Sequence, residues 1–228
     1  QKMTITIVGK QDTKQTLKIL KQYFGTIPQA SAQDFVAIQE DSKNTRRLVT
    51  YADATPYLLI GWHKPTMPHF DDYVFDVIAE ILAGGKSSRL YKALVLDKKI
   101  VSQVDAYNGY PGSRYNNLFI LEATPKDSSQ CEAVEELLYR ELEALGTTCT
   151  QQEIDAAIRR LESSLIFDID TNLGIARLVS YYQTITGNWH YIVTYSDRLR
   201  TIRCADIKRV LDTYCKKEWA TVAVLKKR

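Results

Sequence analysis

The stretch Ile78–Tyr107, IAEILAGGKSSRLYKALVLDKKIVSQVDAY, decides how the rest of the chain is read. Its Gly85-Lys86-Ser87 core invites comparison with a phosphate-binding loop. That loop requires a glycine five positions before the Gly-Lys pair and a buried strand in front of it. Glu80 stands where the glycine would be. Ahead of the break, Val74, Phe75, Ile78, Ile81 and Leu82 recur at helical spacing, so the pattern predicts a helix over 71–82, a glycine break, and a second helix to about residue 97. A nucleotide loop does not fit. An anion at the start of the second helix stays open, because free N–H groups and Lys86 would attract one there.

Outward from this stretch, SQVDAYNGY and NNLFILEATP flank Pro111-Gly112-Ser113 and predict a hairpin. Upstream, TRRLVTY and PYLLIGWHKP read as strands separated by the turn-like Asp53-Ala54-Thr55-Pro56. Downstream, Cys131, Val134, Leu138 and Leu142 mark one helix face ending near Gly146. Thr150 and Glu153 then form a capping-box pattern ahead of Ile154, Ile158, Leu161 and Leu165. Asn172-Leu173-Gly174 is expected to interrupt that helix before GIARLVSYYQTI; helices near 196–201 and 204–215 and a last strand, EWATVAVLKK, follow. At the other end, KMTITIVG alternates as a strand, and Asp12 caps a helix carrying Leu17, Leu20 and Phe24 before Gly25 and Pro28 stop it. Residues 29–45 are polar and poorly periodic. The expected division is therefore a strand-helix tail of a preceding repeat over 1–28, a linker over 29–45, and an α+β domain over 46–228.

With Lys+Arg 30 against Asp+Glu 27, the net charge of +3 gives no strongly basic face, and nucleic acid is not an expected partner. No apolar run approaches the ~20 residues needed to span a bilayer, and no basic-then-apolar start resembles a secretory signal. Because the chain opens at Gln1 directly into a strand pattern, an upstream piece is expected, and compartment is not read from the start. Cys131, Cys149, Cys204 and Cys215 are too widely spaced for a zinc knuckle or a Cys-x-x-Cys site, and spacing alone leaves a disulfide open. Cys131 lies in an apolar helical register, which reads as a buried thiol.

His63, His69 and His190 include no pair at the i,i+4 spacing that offers two ligands to zinc from one helix. His63 and His69 would meet at a metal only if the turn between them folded back. There is no Gly-x-Ser-x-Gly elbow, so no catalytic residue is assigned. The carboxylate pairs Asp71-Asp72 and Glu135-Glu136 read as solvated helix faces, as does Glu141 with Glu143. The aromatic residues lead further. Tyr107, Tyr110 and Tyr115 surround NGYPGSR, and with Arg114 they are the candidate peptide-binding residues, since a tyrosine buries a ring while offering a hydroxyl. Tyr181, Tyr182 and Trp189 form a second aromatic group.

Taken together, these pieces resemble the insulinase/pitrilysin-like zinc metallopeptidases, in their smaller bacterial and processing-peptidase-like branch. MTITIVGKQDTKQTLKILKQYFGTIP is similar to the end of that family's first repeat, and IAEILAGGKSSRLYKALVLDKKIVSQVDAY to the signature near the start of its second. The resemblance covers nearly the whole chain. It implies one half of a clamshell, a two-layer sandwich of a mainly antiparallel sheet backed by helices. It also implies a first half with an inverse zinc motif, His-x-x-Glu-His, and a second half closing over a peptide. This sequence contains no such motif. The resemblance thus implies the C-terminal half of a zinc metalloendopeptidase, with zinc in an N-terminal half or partner subunit and a peptide as substrate. It leaves open a second copy as partner, and it points to the periplasm or to secretion. In active relatives an arginine and, seven residues later, a tyrosine assist from the second half; the matching positions here are Val95 and Ser102. Those departures favour, as the alternative, a noncatalytic interaction or scaffold subunit with the same fold. Arg89 reads as a salt bridge or helix cap, and Tyr91 as a packed ring.

Overall fold

The computed structural model of the protein describes residues 3–28 and 46–228, and the linker expected over 29–45 lies outside them. Strand alternation sets the layers. In Tyr57–Lys64 the side chains of Leu58, Ile60, Trp62 and Lys64 are buried, while Tyr57, Leu59 and His63 between them are only half-buried. Asn117, Phe119, Leu121 and Ala123 repeat that pattern in the strand alongside. With β1 as Arg46–Ala52, β2 as Tyr57–Lys64, β3 as Val101–Tyr110, β4 as Asn117–Pro125 and β5 as Thr221–Lys227, the sheet order is β1-β5-β2-β4-β3. The β1/β5 pair is parallel and the other three pairs are antiparallel. The sandwich expected over 46–228 is thus a mainly antiparallel sheet with helices on one face.

The helices are α1 (Thr13–Phe24), α2 (Phe70–Ala83), α3 (Cys131–Thr148), α4 (Gln151–Asp168), α5 (Asn172–Thr186), α6 (Tyr191–Arg200) and α7 (Cys204–Tyr214), with a π-type helical segment over Tyr91–Asp97. Among them α2 is central: it packs on β3 and also against α4, α6 and α7, which is why it buries more than one stripe. Trp62 anchors the layer. It stacks near Phe119 at 6.2 Å between ring centroids, meets Tyr139 edge-on at 6.0 Å, and donates its indole N–H to the Lys216 carbonyl at 3.0 Å. Truncating such a residue to alanine costs about 3–5 kcal/mol.

The glycine break is required by the backbone. A Cβ at Gly84 would lie inside contact distance of the Glu80 carbonyl oxygen, and Gly85 holds φ +107°, where L side chains are strained. Beyond it, Ser88 donates its N–H to the Gly85 carbonyl at 3.0 Å and Lys92 donates to the Ser88 carbonyl at 3.0 Å. The turn closes on itself, and the Ser88 N–H is already bonded within it.

Three expectations are corrected. Met3–Val8 forms no strand ladder, since its alternating side chains find no strand partner among the described residues. Instead its threonines lie along α5: Ser180 donates to the Thr6 hydroxyl at 2.6 Å and Thr184 to the Thr4 hydroxyl at 3.2 Å. The helix expected near 196–201 begins at Tyr191, because the Asn188 side chain accepts the His190 N–H at 3.0 Å and organises the turn ahead of it. The Asp71-Asp72 pair is buried rather than solvated. Arg209 binds both Asp71 oxygens, at 2.7 and 3.1 Å, and Lys64 forms an ion pair with Asp72. Buried carboxylates persist where a cation meets them.

Candidate functional site

The helices cover one face of the sheet, and strand register fixes which side chains occupy the other. Leu48, Ala223, Leu59 and Glu122 align across β1, β5, β2 and β4, and Thr221, Gly61, Ile120 and Tyr107 align across β5, β2, β4 and β3. The first row ends at Asp105 on β3 and the second begins at Arg46 on β1, so the face is apolar through its middle strands, with Ile120 buried there, and polar or phenolic toward its margins. Gly61 contributes no side chain, and Leu118 and Ile120 lie against that spot, 3.4 and 3.7 Å from where a Cβ would be. Leu48 at the β1 edge is 64% exposed, which marks apolar surface left uncovered within the described residues.

The polar centre of this face is Glu122, which accepts a hydrogen bond from the Tyr57 hydroxyl. Burial, with the Glu122 bond second, pushes the Tyr57 phenol above its usual range. Tyr107 is raised in the same direction, by burial first and then by the charges of Asp105 and Glu122. Both phenols therefore keep their protons at neutral pH, and Tyr57 donates its own to the Glu122 carboxylate. The remaining carboxylate and phenol lone pairs accept main-chain N–H groups, which holds a register.

The four candidate residues fall into two groups. Tyr107 and Tyr110 lie on β3, the edge strand of the sheet among the described residues, 44% and 51% exposed, with a register irregularity between Asn108 and Tyr110. Arg114 and Tyr115 sit in the turn after β3, the guanidinium 5.6 Å from the Tyr115 ring centre. Tyr181, Tyr182 and Trp189 are remote from this face. Tyr182 stacks on Tyr191 at 4.7 Å, and Trp189 stacks on His190 at 3.8 Å, on the helical side of the molecule. Sequence reasoning passed over Tyr57 and Glu122. Their signal was a lone carboxylate within the apolar run LFILEATP and a tyrosine opening the alternating strand YLLIGWHK.

Val95 packs against the core, and Ser102 donates its hydroxyl to the Thr124 carbonyl at 3.2 Å. Neither position presents a guanidinium or a phenol. The donor set does not fit zinc either. His69 caps α2 by accepting the Asp71 N–H at 3.1 Å, His190 is stacked on Trp189, and His63 lies on β2. Among the described residues no group of three or more His, Cys, Asp or Glu is placed to hold a metal ion.

Comparison with known proteins agrees with this architecture. The family model described as peptidase M16 inactive domain matches residues 1–161. Over 228 residues the chain is 22% identical to the curated zinc protease PqqE of Helicobacter pylori, taking in 97% of this chain and 51% of that protein. Its fold is similar to the crystal structure of a protease from Helicobacter pylori, with a TM-score of 0.85 and 22% identity over 96% of this chain and 53% of that one. It is also similar to the peptidase M16 inactive domain from Pseudomonas fluorescens, with a TM-score of 0.69 and 14% identity over 81% of this chain and 44% of that one. The chain spans about half the length of the curated relative it matches.

Proposed function

We propose that this chain, which belongs to the peptidase M16 inactive-domain family, is the peptide-enclosing half of a zinc-dependent endopeptidase whose hydrolytic, zinc-binding half lies in the remainder of a longer protein or in a partner subunit. The observation that carries this is the open sheet face. Its middle strands present apolar side chains, Tyr107 and Tyr110 edge it on β3, and Glu122 on β4 holds the Tyr57 hydroxyl beside them. A free strand edge offers alternating N–H and C=O groups to an extended peptide, so main-chain hydrogen bonds supply affinity with broad sequence tolerance. The tyrosine rings cover the peptide and exclude water from it. Zinc belongs to the other half and supplies water activation there. The same reading carries a periplasmic or secreted location.

The test is site-specific photocrosslinking in the full-length protein or complex, with metal chelated so that a bound peptide persists. A crosslinker at Tyr107 is expected to capture peptide, and one at Lys208 on α7 is expected to capture none. Tyr107→Ala should raise KM several-fold with a smaller change in kcat. Capture only from the Lys208 side would refute the peptide-enclosing role. A full-length protein that binds zinc stoichiometrically yet cleaves no unfolded peptide would favour a scaffold.

A further inference from the structure

Cys149 stands between α3 and the Thr150 cap of α4, and Cys204 is the first residue of α7. Sequence spacing left their pairing open; the fold closes it. The Cys204 thiol donates to the Cys149 carbonyl oxygen at 3.3 Å across 55 residues of chain, which puts the two residues in contact, and the Cys149 thiol faces the Thr150 carbonyl at 3.8 Å. Both are half-buried at the margin of the core, where a small oxidant reaches them. The other two cysteines lack such a partner: the groups acting on Cys131 are Lys226, Glu132 and Asp127, and burial alone acts on Cys215.

The corner that holds Cys149 is already clamped. Arg89 binds both Glu153 oxygens at 2.8 Å, and it donates to the Thr148 hydroxyl at 2.9 Å and to the Thr148 carbonyl at 3.2 Å. The clamp thus fixes the corner on which the Cys204 thiol rests. We infer that Cys149 and Cys204 are a redox modification site, a dithiol that closes to a reversible disulfide and fastens the first turn of α7 to the α3–α4 turn.

The oxidant is a small-molecule disulfide of the glutathione class. The Cys204 thiolate attacks one of its sulfurs, an S–S bond to Cys204 forms, and one glutathione thiolate leaves with the electron pair. Cys149 then loses its proton to solvent and attacks the Cys204 sulfur, and the second glutathione thiolate departs and is protonated. One oxidised glutathione yields two reduced glutathiones, and the protein loses two hydrogens. The same balance holds if Cys149 attacks first, and burial, followed by the adjoining Cys204 thiol, raises Cys149, so the exchange quickens as pH rises.

Equilibrating the intact protein across glutathione buffers, quenching with an alkylating reagent and mapping peptides by mass tests the site. Two of the four thiols are expected to disappear together, with a loss of two hydrogen masses and one linked peptide pair containing Cys149 and Cys204. Cys149→Ser and Cys204→Ser should each hold one glutathione on the remaining member instead. The wild-type mapping stands without them should either variant fold poorly. Four alkylatable thiols throughout the oxidising range, a wild-type protein that stops at mixed disulfides, or a link to Cys131 or Cys215 would each overturn the assignment.

Discussion

Asp71 and Asp76 stand on the same helix, yet their surroundings move their acidities in opposite directions. Burial by itself would raise Asp71, but the hydrogen bonds from Arg209 and Tyr214 outweigh it and hold the carboxyl below its usual range. For Asp76 burial comes first and the Asp72 charge second, and together they overcome donation from Asn108 and Tyr195 and the attraction of Lys64, raising it to about 6. The signs for stability follow. A carboxyl raised on folding contributes stability that is full below its unfolded value of 3.8 and is lost as pH rises through about 6. Asp71, being lowered, contributes above 3.8 and loses that contribution as the medium turns more acidic. Between these limits Asp76 alone should make stability fall with rising pH, by at most about 1.4 kcal/mol per unit. Asp76→Asn is expected to flatten that fall, so that its stability relative to wild type is higher at pH 7 than at pH 4.5 in urea unfolding. Parallel profiles for the two proteins would dismiss the assignment. Little of this was legible beforehand. Lys64 ends a strand whose alternation placed it on the core face, which is a signal, but its partner Asp72 belonged to a carboxylate pair that read as solvated.

At the scale of elements, the AGGKSSRL turn matters because it aims Arg89 at the start of α4. Thr150 and Glu153 form a reciprocal capping box there, and the same Glu153 carboxylate takes the Arg89 guanidinium, so one glutamate serves both the cap and the tertiary clamp. The Arg89 hydrogen bond, the largest influence, together with the Thr150 interactions outweighs burial and holds Glu153 below the usual range. The pair is more sheltered than a surface salt bridge, its side chains 17% and 33% exposed. Thr150→Ala is expected to cost about 1 kcal/mol, the usual worth of a cap. Arg89→Ala should cost on the order of 2 kcal/mol, because it removes charge-assisted bonds to both Glu153 and Thr148. Urea midpoints measure both. A change under about 0.5 kcal/mol for Arg89→Ala would place that pair among ordinary surface contacts. The capping box was readable from its local pattern, and Arg89 was expected as a salt bridge or cap. Which carboxylate it meets depended on how α4 lies against the glycine turn.

For the whole molecule, the decisive feature is that the last strand enters the middle of the sheet. β5 sits between β1 and β2, parallel to the first and antiparallel to the second, and buries Val222 and Val224. Removing residues 217–228 is therefore expected to abolish cooperative thermal unfolding, since it cuts β1 off from the sheet. Removing residues 1–28 should change Tm by no more than the roughly 2–4 °C that 1 kcal/mol represents at this size. α1 buries no side chain, and the segment ahead of it touches α5 through two threonine hydroxyls. A cooperative transition in the first truncation, or a large loss in the second, would show that the core is divided differently. By itself the sequence determined the strand alternation, the helix faces, the glycine break, the hairpin and the missing zinc motif, because these depend on residues within a turn or two of one another. Only the tertiary structure decided that β3 is the edge strand among the described residues, that Tyr57 and Glu122 share a face with Tyr107, that Lys64 answers Asp72, and that Cys149 meets Cys204. Local periodicity fixes which way a side chain points from its own element. What it then meets is set by how distant elements pack to bury their apolar faces.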